Sequence, residues 1–274
     1  MEDSNSTRTP ALTTPLGTDK DGKDFEEKWN YPTVIGMLMF LANNSRPDIA
    51  FAVHQCARFT HAPKESHAAG VKRIIRYLNG TKDEGMYLEP TGELNVDCYV
   101  DADFAGLWKS EDSQDPLCVK SHSGHMITFM GCPLQWKSKL QTQIALSTME
   151  SEYIALSLAM RELIAVRATL KEIFTHVFHS PDAKLTYSAI AKGFSIPPSK
   201  VYEDNEACLK FASMPKMSPR TKHIAVPYHF FRSKVKELEI KVLAVDTKRQ
   251  LADQFTKGLP QEKFEHDRKV LLGW

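Results

Sequence analysis

The chain has 274 residues, with 35 Lys plus Arg against 34 Asp plus Glu, a formal net charge of +1 and 42% hydrophobic residues. That length supports one large domain or two modest ones with an ample core, and a balanced charge neither marks nor excludes a nucleic-acid binder, because local distribution decides. Five scattered cysteines without a Cys-x-x-Cys pair, no basic-then-apolar leader, and a longest apolar run of only VIGMLMFLA at 34–42 argue against a disulfide framework and a membrane span, and lead us to expect a soluble, intracellular protein.

Residues 1–27 are polar and contain Pro10 and Pro15, which predicts a flexible, disordered lead-in. Three helices are expected next: Tyr31 to Asn43, Pro47 to Thr60 with proline at a tolerated N-terminal position, and Glu65 to Leu78 ending at Gly80. MYLEP at 86–90 reads as a short strand. LNVDCYVDADF at 94–104 alternates as a strand, and HSGHMITFM with PLQWKSK forms a hairpin turning at Gly131-Cys132-Pro133. A long helix is predicted over 147–174, capped by Ser147 or Thr148, with a core stripe of Ile154, Leu158, Leu163, Val166 and Leu170. A loop is expected over 180–199, with LTYSAI as a candidate short strand within it. KVYED at 200–204 is a strand, NEACLKFAS a helix, and TKHIAVPYHFFRSKVKEL a helix bent near Pro227. IKVLAVD at 240–246 is a further strand and RQLADQFTK the last clear helix. Three strands on short turns followed by strands separated by helices predict an α/β fold, a mixed sheet with helices on its faces.

Four carboxylates from distant segments stand at strand ends and helix starts: Asp101, Glu152, Asp204 and Asp253. Each has an ordinary alternative: an exposed strand end for Asp101 and its same-face neighbour Asp103, dipole complementation for Glu152, an N-cap for Asp204, a cap or dipole partner for Asp253. No one of these alternatives covers all four. A convergent set of acids repels itself unless divalent cations neutralise it, and such a set is what metal-assisted phosphodiester hydrolysis requires. Between 210 and 241 the chain also carries Lys210, Lys216, Arg220, Lys222, Arg232, Lys234, Lys236 and Lys241 against only Glu237 and Glu239, a local surplus read as suited to phosphate because it lies near Asp204 in sequence, with a solvated helix face as the alternative. The histidine pairs 122/125 and 176/179 lack further ligands at zinc spacing.

The strings YPTVIGMLMFLANNSRPDIAFAV (31–53), VKRIIRYLNGTKDEGMYL (71–88), YVDADFAG (99–106), ALSTMESEYIAL (145–156), YEDNEACL (202–209), RTKHIAVPYHFFR (220–232) and QLADQFTKGLP (250–260) together resemble the C-terminal part of Copia-type retrotransposon polyproteins. The resemblance implies a ribonuclease H-like five-stranded mixed sheet at 90–274, preceded by a helical reverse-transcriptase remnant at 28–89. It implies catalytic and metal-binding roles for Asp101, Glu152, Asp204 and Asp253, with two Mg²⁺ ions that Mn²⁺ could replace. The implied reaction is hydrolysis of the RNA strand of an RNA–DNA hybrid, with Arg220 and Lys222 on the substrate, Asn205 either on a 2′-hydroxyl or equally a helix N-cap, and the polymerase domain of a longer polyprotein as a partner. No membrane and no small-molecule cofactor are expected. A non-catalytic nucleic-acid-binding relic is the alternative. A transposase or integrase of the same fold is disfavoured because its catalytic Glu comes last, whereas here it comes second. The loop 246–250 has no histidine where many cellular ribonucleases H carry one for product release. His122 and His125 stand where relatives often show Arg and Tyr, which implies a weakened strand-edge contact. No polymerase palm motif precedes the helices, so polymerase activity is not expected, and their apolar faces are expected to be left exposed.

Overall fold

The computed structural model describes residues 5–26, 29–108, 117–179, 196–213 and 232–274. Its centre is a five-stranded sheet in the order β3-β2-β1-β4-β5, built from β1 (Val96–Asp103), β2 (His122–Phe129), β3 (Cys132–Leu140), β4 (Ser199–Glu203) and β5 (Ile240–Ala244). The first three strands pair antiparallel, while β4 lies parallel to both β1 and β5. This is the five-stranded mixed sheet, with helices on its faces, expected from the sequence. The β2–β3 hairpin turns at Met130 (φ 54°) and Gly131 (φ 82°), one residue earlier than expected, because a two-residue loop with both φ values positive matches the twist of the flanking strands.

Strand alternation sends Val96, Cys98, Val100 and Ala102 to one face of β1. There they pack with Ile127 against Tyr153, Leu156, Ala159, Met160 and Leu163 of α4 (Thr148–His179). Of the predicted stripe, Ile154 and Leu163 are buried and Val166 and Leu170 pack against the same core, whereas Leu158 is exposed. Its N-terminus is capped as expected by Ser147, whose Oγ accepts from Glu150 N at 3.2 Å, while Glu150 Oε2 accepts from Leu146 N at 2.9 Å. Glu150 is thereby committed to the cap.

The opposite face is covered by α1 (Tyr31–Asn44), α2 (Ala50–Ala57) and α3 (Glu65–Gly80) together with the C-terminal segment. Met126, with Tyr99 and Trp136 at its margin, shares one core with Ile35, Leu38, Val53, Ile74, Phe255, Phe264 and Leu272. Trp136 Nε1 donates to Ala42 O at 2.6 Å, which fastens the end of α1 to β3. Arg46 and Asp48 form a buried ion pair (2.8 Å), and Asp48 also accepts from Tyr77 Oη at 2.6 Å. Most of the apolar helical surface expected to lie open is therefore covered, with Met37 and Phe40 left exposed.

Several expectations are corrected. Residues 5–26 are not a free lead-in. Leu16 N donates to Gln55 Oε1 (2.8 Å), Arg73 Nε donates to Thr9 O (3.0 Å), and Phe25 is buried beside Trp29 and Tyr31. MYLEP forms no strand; Tyr87 N instead donates to Leu272 O at 3.0 Å. The last helix is not RQLADQFTK but α6, Gln261–Leu272, which the notable charge density of QEKFEHDRK disguises. The RQLADQFTK stretch is a 3-10 turn at Leu251–Phe255, capped by Gln250. β2 is an interior strand, so His122 and His125 face no edge. His122 is buried against Phe51, bonds Ser138 Oγ at 2.8 Å, and is held neutral by a pKa that burial pushes down to about 3. His125 Nε2 lies 3.2 Å from Glu162. LTYSAI and most of TKHIAVPYHFFRSKVKEL lie outside the described residues.

Candidate metal centre

Three of the four expected acids meet at the end of the sheet where β1 and β4 stop. Asp101 leaves β1 on the face of the C-terminal segment; Asp204 follows the last residue of β4; Glu152 rises from the first turns of α4. One carboxylate oxygen of each lies within 4.8 Å of the others. Glu152 is 4% exposed, is held by the Ala102 backbone N–H, and its Oε2 has no hydrogen-bond partner. A buried carboxylate oxygen left without a donor is costly unless a ligand completes it. The donor set is all oxygen, which suits a hard divalent cation such as Mg²⁺ or Mn²⁺.

The charges are strained by their own proximity. Burial pushes the Asp101 carboxyl up to about 7, with Lys257 opposing the shift and Asp253 adding to it. Burial, then the neighbouring Glu203, Asp101 and Asp204 carboxylates, hold Glu152 far above the usual range. Asp103, on the same face of β1, is raised by burial with Lys257 opposing.

Asp253 reaches this centre by a different route. The 3-10 turn Leu251–Phe255 lies directly on β2 at Gly124, the residue paired with Asp101 in the sheet register. A Cβ at position 124 would come within 2.7 Å of Phe255 Cβ and 2.8 Å of Thr256 Cγ2. Only glycine permits this approach, which also lets Thr256 Oγ1 donate to Asp101 Oδ2. Gly124→Ala is expected to lift the turn and cost ~1–3 kcal/mol, the usual penalty of overpacking. A urea titration reads the loss, and a midpoint equal to wild type would show that the contact is not tight. Asp253 itself is 1% exposed, and its two oxygens face Lys257 Nζ (2.6 Å) and Lys263 Nζ (3.3 Å).

Against known proteins, the chain is 31% identical over 263 residues to a retrovirus-related Pol polyprotein from transposon RE2 of Arabidopsis thaliana, an alignment covering 96% of this chain. It is 35% identical over 245 residues to the corresponding polyprotein from transposon TNT 1-94 of Nicotiana tabacum, covering 88% of this chain. The chain belongs to the Copia-type retrotransposon Pol polyproteins. It spans 16% of the length of these relatives. No family model matches the chain. A ribonuclease H1 isolated from compost by a metagenomic approach aligns with a TM-score of 0.39 at 14% identity, covering 63% of this chain and 97% of that one. Among the described residues no helix is long and apolar enough to cross a membrane.

In this Copia-type chain the sequence placed Asp101, Glu152 and Asp204 correctly as neighbours, while Asp253 stands apart from that trio on its lysines. Asn205 caps α5 (Glu206–Ser213), its Oδ1 accepting from Cys208 N at 2.9 Å. Arg220 and Lys222 lie outside the described residues. Of the basic run, Lys210 pairs with Glu206 and Lys234 with Glu237 and Glu239, as on a solvated helix face. Sequence reading missed Glu203, which is fully buried and whose Oε1 accepts from Asn205 N at 3.0 Å while Oε2 has no partner. Burial raises its carboxyl pKa, Asn205 opposing and Asp204 adding to the shift. The available signal was its period-two register with Val201, an inward position. Thr256, Lys257 and Lys263 were also missed; Lys257 follows Asp253 by four residues, a spacing that pairs opposite charges.

Proposed function

We propose that this segment hydrolyses the RNA strand of RNA–DNA hybrids with a divalent metal cofactor, Mg²⁺ or in its place Mn²⁺. The observation that carries this reading is the convergence of Asp101, Glu152 and Asp204 within 4.8 Å, with a buried Glu152 oxygen lacking any donor. Bound between them, a divalent ion would supply Lewis-acid activation of water and of the phosphoryl oxygen. Asp101 is held in place by Thr256 and Lys257, Glu152 by the Ala102 N–H, and Asp204 by the end of β4. Water would add to phosphorus as the P–O3′ bond breaks; the departing O3′ takes a proton, giving a 3′-hydroxyl and a 5′-phosphate without any redox partner. Asp204, less buried than the other two, is the carboxylate positioned toward solvent and an incoming strand. Asn205, Arg220 and Lys222 are proposed to contact that strand, and recognition is by hybrid shape and 2′-hydroxyls.

We further propose that residues 28–89 are the end of the reverse-transcriptase segment and that the chain acts within a longer, intracellular polyprotein. The α1–α3 layer supports this, since its core is continuous with that of the sheet. A labelled RNA–DNA hybrid incubated with the protein and Mg²⁺ or Mn²⁺ should yield RNA fragments with 5′-phosphates, and chelation should stop the reaction. Hybrid binding without cleavage under either metal would instead favour a non-catalytic relic.

A further inference from the structure

The fourth acid is not poised for a metal in the way the other three are. Lys257 Nζ lies 2.6 Å from Asp253 Oδ1 and 3.7 Å from Asp101 Oδ2, so one ammonium stands between the two carboxylates as an ion pair, although Asp253 Oδ1 accepts no well-aligned hydrogen bond. The remaining Asp253 oxygen faces Lys263 Nζ at 3.3 Å, and Lys263 also holds the buried Asp267 at 2.9 Å. A divalent ion shared by Asp101 and Asp253 would have to sit where Lys257 now lies, and the two cations would repel strongly at that range.

The lysine is fixed by its chain neighbours. Thr256, immediately before it, is bonded to Asp101 through Oγ1, and both Thr256 N and Lys257 N donate to Asp253 O at 3.1 Å. Gly258, immediately after it, packs so closely on the N-terminal segment that a Cβ there would fall 1.9 Å from Leu12 O. The backbone on either side is thus pinned, and the Asp253–Lys257 spacing of one helical turn aims the ammonium back across the site. Its side chain is still 39% exposed, which leaves N–H donors for a phosphate oxygen arriving from solvent.

We propose that Lys257 is a built-in cation at the second-metal position, so that this centre works with one divalent ion, held by Asp101, Glu152 and Asp204, and one ammonium, held by Asp101 and Asp253. This rests on the proposed ribonuclease reading and departs from the two ions implied by the sequence resemblance. Asp253 then serves as a positioning residue that holds Lys257.

The test counts Mn²⁺ bound per chain, by isothermal titration calorimetry with electron paramagnetic resonance of free Mn²⁺, in wild type, Lys257→Arg and Lys257→Met. One ion is expected in wild type and Lys257→Arg, and two in Lys257→Met, where Asp101 and Asp253 become free to bind the second. The Mg²⁺ dependence of hybrid cleavage should rise with a Hill coefficient near one in wild type and steepen in Lys257→Met, with the rate at low Mg²⁺ falling by about 10²–10³-fold, as on loss of a positioned electrostatic group. Two ions in wild type, or one ion in a folded Lys257→Met, would overturn the proposal; the wild-type count decides it even if Lys257→Met fails to fold. One ion bound without hybrid cleavage would count against the ribonuclease reading and leave the Lys257 assignment standing, whereas no ion bound would remove both.

Discussion

Asp101→Asn is expected to reduce hybrid cleavage by at least ~10³-fold, the scale seen when one member of a site that acts as a unit is removed. The same substitution should stabilise the metal-free protein at pH 8 and leave it unchanged at about pH 3.5, below both the unfolded and the folded value. The reason lies in the burial of the Asp101 carboxyl, to which a neighbouring carboxylate adds. Burial raises the Asp101 carboxyl from 3.8 to about 7, with Lys257 opposing and Asp253 contributing. The folded state therefore binds more protons than the unfolded state between about pH 4 and 7, and stability falls as pH rises through that window. Burial, and then Glu203, shift Glu152 in the same direction, so the loss continues above pH 7. Asparagine cannot ionise, so the variant lacks the Asp101 part of that fall and should melt a few degrees above wild type at pH 8. Adding Mg²⁺ should narrow the gap, because only the wild-type triad gains binding energy, ~2.7 kcal/mol at a hundredfold excess over the dissociation constant. Thermal melts at the two pH values, with and without Mg²⁺, check each arm. A variant that melts lower than wild type at both pH values would make Asp101 a structural residue.

A chain beginning at residue 90 is expected not to fold as an independent unit, although the sequence marks a change of character there. The sheet has two faces, and α4 covers only one of them. On the other, Met126 and the margin around Tyr99 and Trp136 depend on α1, α2 and α3, and so do Phe255, Phe264 and Leu272 of the C-terminal segment. Each large apolar side chain uncovered forfeits ~1.5–3 kcal/mol. Several at once exceed the ~5–15 kcal/mol by which a domain is ordinarily stable. The loss reaches the metal centre, because the turn that carries Asp253 and Thr256 is packed between β2 and α2. Size-exclusion chromatography and calorimetry of residues 90–274 provide the measurement: aggregation or the absence of a cooperative transition is the expected result. A monomer with a melting temperature close to that of the whole chain would show that the helical layer is dispensable.

The difference between what was legible and what was not follows the range of the interactions. Period-two alternation in LNVDCYVDADF, the Ser147 cap before α4 and the strand–helix junction at Asp204-Asn205 are local, and each was readable within a few residues. Leu158 was misplaced because a helix with Ala, Ser, Met and Leu on most sides has no sharply defined face, so the contact with β1 and β2 sets its rotation. α6 was missed because QEKFEHDRK is charged nearly throughout; it is a helix whose Phe264, Leu271 and Leu272 anchor it to the helical layer. Residues 5–26 are polar enough to read as free chain, yet they are fastened by Gln55, Arg73 and Pro63, partners from 39 to 64 positions away in the Gln55 and Arg73 bonds.

For the centre itself, the sequence by itself determined the order and type of the carboxylates Asp101, Glu152, Asp204 and Asp253, and through the flanking blocks the family. Only the tertiary structure decided which of them meet. Strand order places Asp101 beside Asp204, and the rise of α4 brings Glu152 to them. The glycine at 124 lets the 251–255 turn close over β2, with Asp253 already holding Lys257. Residue types are written along the chain, but repulsion and pairing between charges act through space, over the few ångströms that folding alone sets.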